Sequence, residues 1–241
     1  MRKTFLFLLA LMLMAGGATA GRTYVLVAGV SNYQNDAADL STTTSGVKRI
    51  AQVMQKHSQD VSLITSRYAT REKLLSKLQE IAKAASADDR IIFYFCGHGD
   101  VGGILAYDMS LVHYAEIIDI LASSKAGTKM VFVDVCRSGS ANSVGSNDIW
   151  REKLTDGNIM FMLSSRAEEF SSGDIILNAG WFTHAFLKGL EGRCDTNKDK
   201  GITVKELFTY VYNDVVSRSE QKQHPQLIAT KEMQNAVVVT W

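Results

Sequence analysis

Two apolar runs that each end in a short glycine-containing segment constrain the fold of this chain most strongly. Residues 90–100 read RIIFYFCGHGD, and residues 129–139 read KMVFVDVCRSG. A continuous run of β-favouring apolar residues is typical of a strand buried on both faces of a parallel sheet. Ligands and reactive groups lie just beyond the carboxyl ends of such strands. The two runs therefore place His98 and Cys136 at one edge of a sheet if their strands are neighbours.

Further apolar runs alternate with segments of helical spacing along the chain. This alternation predicts a parallel sheet with helices on both faces. Strands are predicted at 23–30, 61–65, 90–95, 129–134, 158–164, 226–229 and 236–241, with at least one of the last two near a sheet edge. Helices are predicted at 47–57, 70–85, 111–122, 181–190 and 203–216, and polar loops at 31–44, 99–103 and 138–148.

Bulk composition excludes several classes of protein. The chain has 241 residues, of which 46% are apolar and 21% charged, as is typical of a globular domain. Its net charge of +1 does not indicate a nucleic-acid or membrane-surface binder. With a single proline and no internal repeat or low-complexity tract, the sequence predicts one domain over residues 21–241.

The first 20 residues have the pattern of a secretory signal peptide. Arg2 and Lys3 precede an apolar stretch at 4–14 that is too short for a comfortable membrane span. Small residues follow, and the tripeptide Ala-Thr-Ala at 18–20 is a typical cleavage sequence. We expect an exported protein, periplasmic or extracellular, whose mature chain begins near Gly21 and has no membrane span.

The residues at the two strand ends have the chemistry of a thiol–imidazole pair. A cysteine attacks a carbonyl carbon as its thiolate, and histidine is the usual base because its unperturbed pKa is near neutrality. We predict Cys136 as the nucleophile and His98 as the general base. Glycines beside His98 let a substrate backbone approach, and the amides of Gly99 and Cys136 are predicted to hold the oxyanion.

The chain has three cysteines, Cys96, Cys136 and Cys194. An odd number leaves at least one outside any intramolecular disulfide, and catalysis is one reason for keeping it reduced. If the two strands are adjacent, the sulfur of Cys96 lies near that of Cys136. In an oxidising compartment a disulfide between them would silence the enzyme, which is a second hypothesis for this pair.

Residues 195–206 have the ligand spacing of a calcium-binding loop. Oxygen-bearing side chains occupy positions one, three, five, nine and twelve, and position eight is apolar. The usual glycine at position six is Lys200, which adds positive charge, and Gly201 follows one place late. The pattern predicts a weak calcium site, with a polar turn before an ordinary helix as the alternative. The candidate ligands are Asp195, Asn197, Asp199, Thr203 and Glu206.

Taken together, these segments resemble the caspase-like cysteine peptidases, especially the metacaspase branch. The similarity lies in FYFCGHG at 93–99, VFVDVCRSG at 131–139, VLVAGVSNY at 25–33 and GWFTHAFLKG at 180–189. The resemblance implies an α/β fold, a three-layer α/β/α sandwich around a mostly parallel six-stranded sheet. It also implies a His–Cys endopeptidase that cuts after one preferred residue.

The resemblance further implies a pocket for the residue before the cut. In metacaspases this pocket is acidic and takes Arg or Lys, and Asp134 matches one of its walls. The second acid of the family falls at Gly46 here, and a serine of the pocket falls at Cys96. Asp134 favours basic specificity, and the alternative role for its carboxylate is to cap a loop amide after the strand.

Family members are often cut between the nucleophile and the later strands during maturation. The matching loop covers residues 140–158, where Arg151 and Lys153 are candidate self-cleavage points if the specificity is basic. An uncut surface loop is the alternative.

The sequence therefore predicts an exported cysteine endopeptidase that acts on protein or peptide substrates. It requires no organic cofactor, although calcium remains a candidate ligand. One alternative is a catalytically weak or inactive protein that keeps the caspase fold as a peptide-binding or scaffold module. Another is a calcium-stabilised secreted interaction domain. The sequence does not specify the oligomeric state.

Overall fold

The computed structural model describes residues 21–41, 43–136, 138–141, 148–169, 171, 173–174 and 179–241. In chain order the strands are β1 (Thr23–Gly29), β2 (Asp60–Thr65), β3 (Arg90–Cys96), β4 (Gly99–Asp100), β5 (Gly103–Leu105), β6 (Leu111–His113), β7 (Thr128–Asp134), β8 (Ile159–Leu163), β9 (Gly173–Asp174), β10 (Ala179–Gly180), β11 (Gly201–Thr203), β12 (Gln226–Ile228) and β13 (Val237–Thr240). The α-helices are α1 (Thr43–Met54), α2 (Arg71–Ala84), α3 (Tyr114–Ala122), α4 (Asp148–Asp156), α5 (Trp181–Lys188), α6 (Val204–Arg218) and α7 (Lys231–Gln234).

A six-stranded sheet with the order β12-β8-β7-β3-β1-β2 forms the centre of the fold. The edge strand β12 runs antiparallel to β8, and all other neighbours are parallel. The predicted mostly parallel six-stranded sheet is therefore confirmed. The strands β3 and β7 are direct neighbours, with Cys96 opposite Asp134. Their carboxyl ends, which lead into the two glycine-containing segments, consequently meet at one edge of the sheet.

Helices cover both faces of this sheet and produce the predicted three layers. Along β3, the side chains of Phe93 and Phe95 enter one apolar cluster, while those of Ile92 and Tyr94 enter the other. Helices α2, α3 and α4 supply the first cluster, and α1, α5 and α6 supply the second. Since successive side chains of a strand point to opposite faces, a strand between two helical layers must be apolar at every position. This requirement explains the unbroken apolar runs of β3 and β7.

Several local elements differ from the prediction. The chain after His98 folds into a three-stranded antiparallel sheet of β4, β5 and β6, where the sequence predicts a loop and the first turn of a helix. Pairing with β5 overrides the local helical spacing of β6, since strand preference depends on the neighbouring strand. Helix α4 lies within the segment 140–158 that the sequence predicts as a loop, and β13 pairs with β11 outside the central sheet.

None of the helices in the described part of the chain is long and apolar enough to cross a membrane. The segment predicted to be a signal peptide, residues 1–20, lies outside the described residues.

Candidate active site

His98 and Cys136 line the same cleft at the carboxyl edge of the sheet. His98 follows β3 by two residues and Cys136 follows β7 by two residues, so the register of the two strands sets both positions. The cleft has a volume of about 170 Å³. Besides these two residues it is lined by Leu40, Thr43, Cys96, Asp134, Ser171 and Gly180, among others. The residues predicted for chemistry and for specificity thus lie together.

The imidazole of His98 is oriented by the loop that precedes α1. Its Nε2 lies 2.7 Å from the carbonyl oxygen of Ala38. A carbonyl oxygen only accepts hydrogen bonds, so Nε2 carries the proton and donates it. In the neutral ring, Nδ1 is therefore the nitrogen with the available lone pair. This assignment leaves Nδ1 as the proton acceptor of the imidazole.

Tyr33 fixes the backbone beside the imidazole. Its Oη accepts a hydrogen bond of 2.6 Å from the amide of His98, and the two rings lie 5.0 Å apart between centroids. Burial raises the pKa of Tyr33, which keeps the phenol neutral. Asp39 holds this loop closed, because its Oδ1 accepts the amide of Tyr33 at 2.8 Å and its Oδ2 accepts Asn32 Nδ2 at 3.0 Å.

Sequence reasoning missed the roles of Tyr33 and Ala38. Tyr33 is the last residue of the family-like segment 25–33, which does not by itself indicate a partner for the phenol, and Ala38 contributes only a backbone carbonyl. A backbone contribution leaves no side-chain signal in a sequence, so the pattern of residues 31–44 indicated a polar loop and nothing more.

The thiol of Cys136 is partly exposed in the cleft. Its Sγ donates to the carbonyl oxygen of Ser171 across 3.7 Å. No disulfide joins Cys136 to Cys96 or Cys194 in the structure. Since Ser171 also lines the cleft, the thiol lies within the cavity that a substrate would enter.

Gly99 packs directly against the segment that carries the nucleophile. A Cβ at Gly99 would lie 2.4 Å from Val135 Cγ2 and 3.1 Å from the carbonyl oxygen of Cys136, so a side chain does not fit. The amide of Leu105 donates to the carbonyl of His98 at 2.9 Å, and Gly99 lies opposite Ile104. Hydrogen-bonded and non-bonded pairs alternate in an antiparallel ladder. The amide of Gly99 therefore points away from β5, as the predicted oxyanion donor must.

Asp134 is a buried carboxylate at the end of β7, with 4% of its surface exposed. Its Oδ1 accepts a 2.6 Å hydrogen bond from Ser171 Oγ, and its Oδ2 accepts from Thr183 Oγ1 at 2.6 Å and from the amide of Thr183 at 3.2 Å. Burial raises the pKa of Asp134, and these hydrogen bonds partly offset the shift. Asp134 thus caps the first turn of α5, whose N-cap residue is Gly180, and not a loop amide directly after β7.

Cys96 lies in the second apolar cluster and 7% of its surface is exposed. Its Sγ lies 3.7 Å from Thr183 Oγ1. Burial, and then the nearby charge of Asp134, raise the pKa of Cys96 well above its ordinary value. Cys96 therefore remains a neutral thiol at the wall of the cleft, a poor nucleophile beside the more exposed Cys136.

The two candidate self-cleavage points lie on a helix. Arg151 and Lys153 belong to α4, and Lys153 Nζ lies 2.5 Å from Asp119 Oδ1. The prediction of a loop over 140–158 is wrong for residues 148–156, because Leu154 buries its side chain in the first apolar cluster and holds the segment as a helix. Residues 142–147 lie outside the described residues.

The predicted calcium-binding loop joins the π-helical turn Gly189–Arg193 to α6. Lys198 and Lys200, at positions four and six, have φ values of 60° and 65°. Lys200 thus adopts the left-handed conformation that normally favours the glycine it replaces. The oxygen Oδ1 of Asp195 is buried without a hydrogen-bond partner.

The remaining carboxylates of this loop bind its own backbone. Asp199 Oδ1 accepts the amide of Gly201 at 2.8 Å, and Glu206 Oε2 accepts from the amide and the hydroxyl of Thr203 at 3.0 and 2.8 Å. Glu206 and Thr203 thereby form a capping box at the start of α6. Across the described residues, no three His, Cys, Asp or Glu side chains converge closely enough to hold a metal ion.

Comparisons with known proteins bear on the family and the fold of this chain. A family model for the caspase domain, peptidase family C14, matches residues 22–235. The crystal structure of protein GSU0716 from Geobacter sulfurreducens is similar with a TM-score of 0.67, covering 91% of this chain and 98% of that chain at 14% sequence identity. At that identity the likeness shows the fold alone. No curated protein matches the sequence.

The family match extends over nearly all of the described chain, from the residue before β1 to the end of α7. It covers both strand ends of the cleft and the loop that orients His98. The chain belongs to the caspase-domain family of cysteine peptidases, C14.

Proposed function

We propose that this protein is an exported cysteine endopeptidase in which His98 and Cys136 form the catalytic dyad and which cuts after basic residues. The observation that carries the proposal is the shared cleft, in which Nε2 of His98 is committed to Ala38 and the thiol of Cys136 is partly exposed. Protein or peptide chains are the substrates that the family implies.

The reaction begins when the thiol leaves the carbonyl of Ser171 and turns toward His98. Nδ1 of His98 takes the thiol proton, and the resulting imidazolium and thiolate stabilise each other. The thiolate sulfur attacks the scissile carbonyl carbon, whose oxygen becomes negatively charged. The amides of Gly99 and Cys136 donate to this oxyanion, and His98 then gives its proton to the leaving amine. Water releases the acyl group from Cys136 with His98 again acting as the base.

Basic specificity is supported by the charge of Asp134. The carboxylate lines the cleft, and none of the ion pairs formed by the described residues includes it. A buried carboxylate without a cationic partner is stabilised when a substrate ammonium or guanidinium enters. The cleft offers no other carboxylate among its described lining residues, which distinguishes it from the two-acid pocket implied by the resemblance.

Active-site labelling tests the dyad. A peptide with Lys or Arg next to an alkylating group is expected to modify Cys136 in the wild type and to lose this reactivity in His98→Ala. His57→Ala is the matched control, because His57 does not line the cleft and its Nδ1 contacts the carbonyl of Thr240. Labelling that is absent, or that His98→Ala leaves unchanged, would favour the catalytically inactive binding or scaffold module.

We also propose self-cleavage after Arg151 or Lys153. A protease binds its substrate as an extended segment, so α4 must unwind before either bond is cut. Purified wild type is expected to convert to two chains, and Cys136→Ala is expected to remain one chain. An active wild type that stays a single chain would show that this cleavage is not required.

Export is proposed from the sequence of residues 1–20 alone. Expression of the full chain in a bacterial host with a secretory system is expected to yield a mature protein that begins near Gly21, as read by N-terminal sequencing. Retention of residues 1–20 in the cell would overturn the proposal.

Calcium binding at residues 195–206 is proposed on the unpartnered Oδ1 of Asp195, an oxygen that a hard cation would satisfy. Asp195, Asn197, Asp199, Thr203 and Glu206 would hold the ion once Glu206 leaves its capping box. Losing that box costs about 1 kcal/mol, so the site is weak. Calcium is expected to raise the melting temperature of the wild type but not of Asp195→Asn, and an equal response of both proteins would exclude this site.

A further inference from the structure

We propose that the cleft selects lysine over arginine at the residue before the cut, because Thr183 occupies one oxygen of Asp134. This inference rests on the proposed basic specificity and goes beyond it. Thr183 is a positioning residue in this proposal, and the group that contacts the substrate is the carboxylate of Asp134.

The two oxygens of Asp134 are used unequally by the protein. Oδ2 accepts two hydrogen bonds, both from Thr183, at 2.6 and 3.2 Å. Among the described residues, Oδ1 accepts one, from Ser171 Oγ at 2.6 Å. A carboxylate oxygen has two lone pairs, so Thr183 fills Oδ2, whereas the described residues leave one position on Oδ1 for a substrate.

Thr183 is itself held in place and cannot easily turn away. Its hydroxyl has one proton, which goes to Asp134, so the hydroxyl of Tyr94 must be the donor in the 2.7 Å contact between Tyr94 Oη and Thr183 Oγ1. Both side chains are fully buried, with 1% of the surface of each exposed. The amide of Thr183 is fixed by α5, so the second bond to Oδ2 is also permanent.

An arginine side chain fits this arrangement poorly. A guanidinium pairs best with a carboxylate through two parallel N–H bonds, one to each oxygen, and Oδ2 is not available for the second bond. Its five N–H groups also exceed the side-chain oxygen acceptors that the described lining residues leave open, and a buried donor without a partner is costly.

A lysine ammonium has only three donors. Oδ1 of Asp134 offers one acceptor, and the hydroxyl oxygens of Ser41, Thr43 and Ser171, which also line the cleft, are enough to receive the other two donors. An ammonium is more strongly hydrated than a guanidinium, so entry into the cleft costs it more. Each donor that arginine leaves unpaired in the cleft carries a penalty that lysine avoids, and we expect this penalty to outweigh the difference in hydration.

Thr183 also prevents the cleft from gaining a second carboxylate. A Cβ built on Gly46 would lie 2.9 Å from Thr183 Cγ2, so a side chain at position 46 collides with the Thr183 methyl group. The glycine at position 46, where the family pattern has an acid, thus leaves the space that the Thr183 methyl group occupies. A second acid would supply the acceptors that arginine needs.

Two matched fluorogenic peptides that differ only in Lys or Arg before the cut test the inference. Wild type is expected to show a kcat/KM for the Lys peptide at least about fivefold above that for the Arg peptide, corresponding to one unpaired donor. An equal or higher value for the Arg peptide overturns the inference, while the proposed basic specificity survives. Cleavage only after uncharged or acidic residues overturns the proposed function itself.

The variant Thr183→Val then tests whether Thr183 sets the preference for lysine. Valine keeps the shape but removes the hydroxyl bond to Oδ2, so the Lys:Arg ratio is expected to fall by at least about threefold. Thr209→Val is the matched control, because Thr209 is exposed on α6, donates to the carbonyl of Lys205 and does not line the cleft, so it should leave the Lys:Arg ratio unchanged. If Thr183→Val does not fold, Thr183→Ser keeps the hydroxyl and must retain the wild-type ratio. A ratio unchanged in folded Thr183→Val, or lost in Thr183→Ser, contradicts the assignment.

Discussion

The two sides of the cleft are fixed in different ways. On the histidine side, the imidazole of His98 is oriented by the backbone carbonyl of Ala38, and its own amide is held by Tyr33. Both partners come from the loop directly after β1. On the acid side, the carboxylate of Asp134 is held by Thr183 of α5 and by Ser171, which follow it by 49 and 37 residues.

Because of this difference, the groups that orient the catalytic base are not the groups that set the substrate preference. A backbone carbonyl orients the base whatever the side chain at position 38, so the catalytic side tolerates substitution there. The acid side depends on the hydroxyl groups of individual side chains, and each substitution changes how many acceptors a substrate finds. We expect changes on the two sides to alter different kinetic constants.

The largest effect is expected from the groups that react. His98→Ala removes the general base and is expected to lower kcat/KM by about 10³-fold on any cleaved peptide. Steady-state kinetics on Lys and Arg peptides measure it, and the loss should be equal for both because the base does not contact the specificity side. A loss confined to basic peptides would contradict the assigned role.

The next effect is expected from the buried acid. Asp134→Asn keeps the shape but removes the charge, so kcat/KM for basic peptides is expected to fall by about 10- to 100-fold. The same variant is expected to cleave a peptide with Gln before the cut no worse than wild type does. Equal losses for charged and uncharged peptides would show that Asp134 only supports α5.

A smaller effect is expected at Tyr33. Tyr33→Phe leaves the partly buried amide of His98 without its acceptor, which costs about 1–2 kcal/mol and is expected to lower kcat by about tenfold with little change in KM. Ala38→Ser is the matched control, since it retains the carbonyl that accepts from Nε2. If Ala38→Ser lowers kcat as much as Tyr33→Phe does, the side chain at position 38, and not only its carbonyl, positions the imidazole.

The smallest effect is expected in the pH dependence of stability. Burial raises the folded-state pKa of Asp134 above its ordinary value of 3.8, so the folded protein binds the proton more tightly than the unfolded chain does. The contribution of Asp134 to stability is therefore greatest below its unfolded pKa and falls as the pH rises through the folded pKa. Melting curves between pH 4 and pH 7 should show this fall in wild type relative to Asp134→Asn; parallel curves would exclude the raised pKa.

Elements with an internal pattern were predictable from the sequence. The runs of β3 and β7 predicted buried parallel strands because strands covered on both faces must be apolar throughout. At the start of α2, threonine is a favourable N-cap residue, and Thr70 Oγ1 accepts the amide of Lys73 at 3.3 Å. Elements that depend on a partner were not predictable, as β6 shows by pairing with β5 where its own spacing indicated a helix.

By itself, the sequence determined the fold class, the two strand ends and the residue types that reach the cleft. These features follow from local apolar spacing and from the rule that parallel strands end at a common edge. Only the tertiary structure decided which nitrogen of His98 is the acceptor and which oxygen of Asp134 is already occupied. Those outcomes depend on a backbone carbonyl and on hydroxyl groups distant in the chain, and contacts of this kind exist only once the layers have packed.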